Sequence, residues 1–196
     1  MLADGFHDVP KGKVATIVTH LEMRTAQMRG ATLPDGLEFT TLPRDLAAYR
    51  DILRRVGQQW LWFGRLLLDD AELSKIIDDP LVELYTLTKD CNPEAILELD
   101  FRVTGECELA FFGLTGALIG SGAGAYLMDQ AVSKAFRAGI TRFHVHTCTL
   151  DSPQALGFYR RSGFTPIRQQ VEVADDPRIL GIHPQDAGPH IPFFGD

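Results

Sequence analysis

Three glycines at alternate positions stand directly before a helical pattern near the middle of the chain. Gly120, Gly122 and Gly124 follow an apolar run and precede a predicted helix over 123–138. Glycine leaves backbone N–H groups uncovered by side chains, and a helix N-terminus adds partial positive charge and up to four unpaired donors. The pattern therefore predicts a phosphate-binding turn in which backbone amides, rather than Lys or Arg side chains, bind the anion.

Two other phosphate-binding motifs fit this turn poorly. Residues 120–125 match the dinucleotide pattern G-x-G-x-x-A in letters. That pattern belongs to the first βαβ unit of a parallel sheet and needs an acidic residue at the end of the next strand. Here 119 residues precede the turn, and the next strand ends near Cys148. The second motif, a Walker A loop, is excluded because no Gly-Lys-Ser or Gly-Lys-Thr follows the glycines. The remaining alternative is that small residues merely allow close packing of a helix against a sheet.

Side chains capable of acid–base chemistry flank the turn. Glu106 and Glu108 alternate before it, and His144, His146 and Cys148 alternate after it, so each group shares one face of a predicted strand. A carboxylate can take the proton from an attacking amine, and a neutral histidine can relay a proton near pH 7. The glutamates could instead pair with cations or face solvent. A metal site is not expected, because alternate side chains on a flat strand stand about 7 Å apart.

Hydrophobic periodicity predicts the elements that position these residues. Helices are expected to begin near Asp45, Asp69, Ala123 and Ser152. The predicted strands are 14–23, 81–88, 95–103, 106–114, 140–149 and 165–173, with 37–42 extending or capping the first. Short breaks make the three middle strands antiparallel, whereas a helical crossover makes 140–149 parallel to 106–114. The prediction is one α/β (α+β) domain over 1–196, with a mixed, mostly antiparallel central sheet, helices on both faces, an arm at 1–12 and a tail at 174–196.

Composition excludes several classes of protein. The 196 residues are 45% hydrophobic and 23% charged, which is typical of a globular chain. The net charge of −7 argues against a nucleic-acid partner. Three unpaired cysteines, Cys91, Cys107 and Cys148, indicate reduced thiols. The absence of a signal-like start and of a long apolar run predicts a cytoplasmic protein with no membrane partner.

Two segments resemble motifs of the GNAT acyl-CoA-dependent N-acetyltransferases. The turn aligns with that family's pyrophosphate-binding motif, Q/R-x-x-G-x-G/A, from Ile119 to Gly124. The segment Ser152–Phe164, SPQALGFYRRSGF, is similar to the family motif N-x-x-A-x-x-hydrophobic-Y-x-x-x-G-F. The resemblance covers 81–173 well and the N-terminal third only by element order. It departs from the family pattern at Ile119 and Ser121, where basic or amide side chains usually help to hold the phosphates.

The resemblance implies that acetyl-CoA (coenzyme A) is the cofactor and that backbone amides of about Ser121 to Ala125 bind its pyrophosphate. Leu114 aligns with the point where the family's strand bulges and offers backbone groups to the pantetheine arm, so its N–H is also a candidate oxyanion donor. The CoA-binding residues implied in this way are Leu114, Ile119, Gly120, Ser121, Gly122, Ala123, Gly124, Ala125, Ser152, Ala155 and Phe158.

The resemblance also implies two catalytic residues. Glu108 aligns with the general base of many family members, although a water relay is an alternative. Tyr159 aligns with the tyrosine that donates a proton to the leaving thiolate, and the alternative is that it is simply packed in the core. The implied reaction is direct transfer of acetyl to an amine of a small molecule or a peptide in a ternary complex. Cys148 as an acyl-enzyme nucleophile is a rival that has no basic partner placed by the sequence.

The acceptor side is less well defined. Trp60 and Trp62 are expected to form one wall of a substrate pocket, with Glu106 and His146 beside it, although the tryptophans could equally be core residues. The segment 189–194 could cover a cleft or make an oligomer contact, so a homodimer stays open. A CoA-binding sensor or scaffold without transfer activity is the alternative function, because the turn lacks its usual basic residue.

Overall fold

The computed structural model describes residues 3–195 as a mixed α/β structure. Its elements follow the predicted order, and the predicted fold class is confirmed. The strands are β1 Lys13–Met23, β2 Leu37–Thr41, β3 Val82–Lys89, β4 Asn92–Pro93, β5 Ala95–Asp100, β6 Glu106–Leu114, β7 Arg142–Cys148 and β8 Thr165–Asp175. The α-helices are α1 Leu46–Gly57, α2 Asp70–Ile77, α3 Ala123–Ala135 and α4 Ala155–Arg161, with short 3-10 helices at Gln58–Trp60 and Gly64–Leu67.

The strands of residues 3–195 form one sheet in the order β2-β3-β5-β6-β7-β1-β8, with the two-residue β4 paired to β3. The strands β3, β5 and β6 form the predicted antiparallel meander, and β6 and β7 are parallel. The prediction that 37–42 extends the first strand is wrong. The strand β2 pairs with β3, with Phe39 opposite Leu87, at the sheet edge away from β8. The apolar pattern of a strand specifies which face is buried but not which strand lies beside it.

Helices cover both faces of the sheet, as predicted. Helices α3 and α4 pack on one face over a core that includes Leu97, Leu127 and Phe143. Helices α1 and α2 pack on the other face over a second core around Leu53 and Ile96. Because every residue of β5 is buried, this strand is the centre of both cores.

Two of the predicted helix starts are confirmed by their caps. The Asp45 side chain accepts from the Ala48 amide at 2.8 Å, and Asp69 forms a reciprocal capping box with Glu72. The predicted Ser152 cap is wrong. The Ser152 hydroxyl accepts from the Gln154 amide and its carbonyl from the Ala155 amide, whereas α4 begins at Ala155 with Gln154 at the N-cap position.

Strands β6 and β7 diverge soon after they begin. They pair only from Glu106–Arg142 to Glu108–His144, whereas β5 and β6 remain paired as far as Leu114. The irregularity in β6 lies at Ala110, between the pairs of Leu109 and Phe111 with β5. The expectation of a bulge at Leu114 is therefore wrong, because the irregularity lies at Ala110 and β6 and β7 separate already after Glu108.

Candidate active site

The glycine turn has the backbone geometry that its sequence predicts. Gly120 and Gly122 have φ values of +81° and +88°, a left-handed conformation that side chains with a Cβ rarely adopt. Gly122 is the N-cap of α3 and has no side-chain cap. Because nothing lies within 4 Å of a Cβ built on either glycine, the surface above the turn is open.

The unpaired amides of the turn are fewer than predicted. The Ser121 amide donates to the Leu118 carbonyl at 3.3 Å and the Ala125 amide to the Gly122 carbonyl at 3.1 Å. No acceptor in residues 3–195 takes the amides of Gly120, Gly122 or Gly124. These three N–H groups, at the positive end of α3, are therefore the donors available to an anion.

Leu114 and Phe158 lie directly behind the turn. A Cβ on Gly124 would stand 3.5 Å from Leu114 Cδ1 and 3.9 Å from Phe158 Cε2, which are ordinary contact distances, so Gly124 lies next to both side chains. Ile119 is 61% exposed beside the turn and offers no charge. Of the other predicted CoA-binding positions, Ala155 packs against the core below the turn.

The divergence of β6 and β7 opens a cleft of about 370 Å³ that passes through the sheet. A second cleft of about 360 Å³ adjoins it, and Glu108 lines both. Aromatic side chains and acid–base groups meet in the first cleft. The aromatic side chains are Trp60, Trp62, Phe63, Phe111, Phe112 and Tyr159, and the acid–base groups beside them are Glu108 and His146.

Glu108 and His146 face each other across the strand gap. Their Oε1 and Nδ1 atoms are 3.6 Å apart, the distance of an ion pair rather than of a short hydrogen bond. The His146 imidazole holds the pKa of Glu108 below its usual value, and the carboxylate in turn raises the pKa of His146. Glu108 is therefore ionised at neutral pH and lies beside a second group that can exchange a proton.

Glu106 has different partners although it lies on the same face of β6. Its carboxylate accepts from Arg142 Nη1 at 2.6 Å and lies 3.4 Å from His144 Nε2. No Arg or Lys of residues 3–195 forms an ion pair with Glu108. Of the two glutamates, Glu108 is thus the one whose charge is not already neutralised by a guanidinium.

Tyr159 is packed in the core and also lines the cleft. Its ring makes edge contacts with Phe112 and Phe164, and only 7% of the residue is exposed. Burial raises the pKa of its hydroxyl, and no side chain or carbonyl of residues 3–195 accepts a hydrogen bond from it. The neighbouring Phe158 stacks on the same Phe112 ring at 5.6 Å and makes an edge contact with the Tyr159 ring at 5.8 Å, so these three rings form one aromatic cluster.

Leu114 and Glu108 are too far apart to serve one reacting carbonyl. Six residues of strand span about 20 Å. The Leu114 N–H therefore cannot reach an oxyanion that forms directly beside Glu108, and its role as an oxyanion donor stays a prediction. Leu114 lies instead against the glycine turn, at the phosphate end of the site.

Trp62 is held from several sides as one wall of the cleft. Its Nε1 donates to Asp151 Oδ1 at 2.8 Å, and its ring makes an edge contact with Phe111 at 5.4 Å. A Cβ on Gly57 or Gly113 would come within about 3 Å of the Trp62 side chain, so both glycines are needed for its placement. Trp62 is half-buried and therefore belongs both to the core and to the cleft surface.

Asp151 is a site residue that the sequence prediction missed. Besides the hydrogen bond from the Trp62 indole, its carboxylate accepts one from Thr147 Oγ1 at 2.7 Å and one from the Cys148 amide at 2.9 Å. Asp151 thereby connects Trp62, which forms one wall of the cleft, to the end of β7. Its position directly after a strand was the available signal. Cys148 itself lines the cleft, but burial raises the pKa of its thiol, which opposes a nucleophilic role.

The C-terminal tail supports the same wall from outside. His183 Nε2 lies 2.7 Å from the Trp62 carbonyl, and His190 Nε2 lies 3.0 Å from the Leu150 carbonyl. The His190 ring also makes an edge contact with Trp60 at 5.5 Å. The tail therefore contacts residues that line the cleft, whereas an oligomer contact stays a prediction.

Solved structures share this fold at low sequence identity. A GCN5-related N-acetyltransferase from Sphaerobacter thermophilus aligns with a TM-score of 0.62 and 17% identity, over 87% of this chain and 53% of that one. A GCN5-related N-acetyltransferase from Kribbella flavida aligns at 0.51 and 16%, over 87% and 63%. A tandem GNAT protein from the clavulanic acid biosynthesis pathway aligns at 0.57 and 11%, over 87% and 55%. The chain thus has the GNAT fold and spans roughly half to two-thirds of the length of these three proteins.

The family comparison matches the segment that holds the site. Residues 82–164 match the acetyltransferase (GNAT) family, a match that covers less than half of the chain. The matched segment runs from β3 through the glycine turn to Phe164 and contains Glu108 and Tyr159. No curated protein matches the chain. Within residues 3–195 no helix has both the length and the apolar character needed to cross a membrane.

Proposed function

We propose that the protein is an acyl-CoA-dependent N-acyltransferase that transfers acetyl from acetyl-CoA to an amine. The observation that carries this proposal is the gap between β6 and β7, which joins Glu108 and Tyr159 through one cleft. The glycine turn stands at the far end of β6, behind Leu114. The proposed enzyme is cytoplasmic, and its acceptor is a small molecule or a peptide.

The residues present fit coenzyme A without the usual cation at the turn. Three unpaired amides at the N-terminus of α3 suit a pyrophosphate. Beyond Glu108, the edge of β6 that faces β7 no longer pairs with it, so its backbone groups are free to bind the amide-rich pantetheine arm. Ala155, Phe158 and Ser152 would support the cofactor from the α4 side.

In the proposed reaction, bound acetyl-CoA supplies an activated thioester carbonyl. Glu108 takes a proton from the acceptor amine, so that the nitrogen lone pair can attack, and His146 keeps the carboxylate ionised and oriented. Backbone N–H groups near the irregularity at Ala110 stabilise the developing oxyanion. The Tyr159 hydroxyl, whose raised pKa keeps it protonated, donates a proton to the departing thiolate. Transfer is direct, with no acyl-enzyme on Cys148.

A CoA-binding sensor or scaffold is the second candidate. The exposed Ile119 and the neutral Ser121 favour it, because they provide no side-chain charge for the phosphates. A thermal-shift titration with acetyl-CoA, followed by thiol-release assays on an amine panel, distinguishes the candidates. Stabilisation together with thiol release supports the enzyme. Stabilisation without release from any amine supports the sensor, and no stabilisation by any acyl-CoA contradicts both.

Changing the charge at the turn should change CoA affinity in opposite directions. Ser121→Arg restores a cation and is expected to tighten CoA binding by about threefold to tenfold, since charge-assisted hydrogen bonds to phosphate are strong. Ser121→Asp should weaken it by at least as much. Isothermal titration of CoA measures both changes, and titration of dephosphorylated pantetheine is the control, because it lacks the pyrophosphate. Equal changes in affinity for CoA and for pantetheine would contradict binding of the phosphates at this turn.

Removing the Tyr159 hydroxyl should slow turnover without unfolding the protein. Tyr159→Phe keeps the ring contacts with Phe112 and Phe164 and loses no hydrogen bond to a described residue. We expect kcat to fall by at least about tenfold, the low end of general-acid effects, with little change in melting temperature. Unchanged turnover of a confirmed acceptor would leave Tyr159 as a packing residue.

A further inference from the structure

The charged groups that line the two joined clefts are mostly acidic. The first cleft contains four carboxylates and two guanidinium groups, and no lysine lines either cleft. The carboxylates are those of Asp100, Glu108, Asp151 and Glu172, and the second cleft adds Glu106. A cluster of acids alone does not define a ligand, so the partners of the two arginines decide what the cleft can accept.

Both arginines are already paired with carboxylates. Arg65 Nη2 donates to Glu98 Oε1 at 2.9 Å, and Glu98 is completely buried. Arg102 forms a bidentate pair with Asp100, with Nε and Nη2 at 2.9 and 2.5 Å from Oδ2. The charge of each guanidinium is therefore already balanced by one carboxylate, although Arg65 Nε is buried and has no hydrogen-bond partner among residues 3–195. The carboxylates of Glu108 and Glu172, by contrast, pair with no Arg or Lys of residues 3–195.

The uncharged part of the first cleft is aromatic. Trp60, Trp62 and Phe63 form one side, and Phe111 and Phe112 project from the central strand β6. All five are half-buried, so part of each side chain is exposed, although Arg65 lies over the Phe111 ring at 5.6 Å and Phe158 stacks on the Phe112 ring at 5.6 Å. The Trp62 indole N–H is already donated to Asp151, whereas the Trp60 indole N–H has no acceptor among residues 3–195, so this wall presents ring surface and a single free donor. Such a surface favours an apolar group.

We propose that the acceptor is an amine carried on an uncharged apolar body, aryl or alkyl, and that amines bearing a carboxylate or phosphate are excluded. This inference rests on the proposed function and names the substrate class of the same site. The amino group lies at Glu108, where the two clefts meet, and the apolar body lies against Trp62 and Phe111. An α-amino acid would place its carboxylate within a few ångströms of Glu108, in a cleft where Glu98 and Asp100 already balance the charges of the two arginines.

Matched amines test the two parts of the proposal. The first pair is 2-phenylethylamine and phenylalanine, which differ by a carboxylate, and the second is 2-phenylethylamine and ethanolamine, which differ in the apolar body. We expect kcat/KM for 2-phenylethylamine to exceed that of each comparator by at least about tenfold. Equal or faster acetylation of phenylalanine or of ethanolamine would overturn the proposal, while the acetyltransferase assignment would stand.

A charge variant sharpens the test. Glu172→Lys places a cation at the cleft and should reduce the preference for 2-phenylethylamine over phenylalanine by at least about threefold. Val171→Lys is the matched control, because Val171 is 50% exposed on the opposite face of the same strand. It adds the same charge away from the cleft and should leave the preference unchanged. Equal effects of the two variants would contradict local recognition of charge.

Binding can be read without turnover, because the chain has two tryptophans and both line the cleft. With CoA present, 2-phenylethylamine should change the intrinsic fluorescence saturably and at lower concentration than phenylalanine. This result in a protein that releases no thiol would contradict the acetyltransferase proposal but support the ligand class. Absence of a saturable change with 2-phenylethylamine would overturn the ligand class, whatever the thiol-release assay shows.

Discussion

Glu108→Gln is expected to lower kcat/KM for amine acetylation by at least about 100-fold, because an amine must lose a proton to keep its attacking lone pair. The amide side chain would retain the size of the carboxylate but accept no proton at neutral pH. The affinity for CoA should remain within about twofold, since the glycine turn is remote from this residue on β6. Thiol release measures the first quantity and isothermal titration the second.

Glu106→Gln is the matched control for this variant. Glu106 lies two residues earlier on the same face, but Arg142 and His144 already occupy its carboxylate. We expect its loss to change kcat/KM by less than about fivefold, because an ion pair at this half-exposed position contributes little. If Glu108→Gln is equally mild, the proton leaves the amine through water, and Glu108 serves only to orient His146.

The sequence was most informative where structure depends on local pattern. The order of strands and helices follows from periodicity, and the bounds of β6 were predicted to the residue. The glycine turn was also predictable, because left-handed backbone and an uncapped helix N-terminus leave few choices other than glycine at Gly120 and Gly122. Strand alternation also placed Glu106 with Glu108, and His144 with His146, on one face of their own strands, whereas the contact between Glu108 and His146 depends on how the two strands pair.

Features that depend on distant segments could not be predicted. The strands β6 and β7 separate after Glu108, and nothing in either strand alone marks that point. The bond between Trp62 and Asp151 joins residues 89 positions apart, and the contact of His183 with the Trp62 carbonyl joins residues 121 apart. Such contacts are set by how the loops and the tail fold over the sheet, which single-residue propensity does not encode.

The buried carboxylate of Glu98 gives rise to the largest stability prediction. Glu98 lies on β5 with no exposed surface, where Tyr49 donates to one oxygen and Arg65 to the other. Arg65→Met keeps the apolar stem near Phe111 but removes the charge. We expect the free energy of unfolding at pH 7.5 to fall by about 3 kcal/mol, because the loss of one partner leaves an uncompensated buried charge. Urea unfolding measures this change. Arg24→Met, which breaks the more exposed pair with Glu22, should cost less than about 1 kcal/mol.

A second substitution separates lost charge from lost packing. If the uncompensated carboxylate causes the loss, Glu98→Gln should stabilise the Arg65→Met protein. In the wild type the same substitution should be destabilising, because it leaves Arg65 without its carboxylate partner. Absence of any rescue by Glu98→Gln would assign the effect to packing alone.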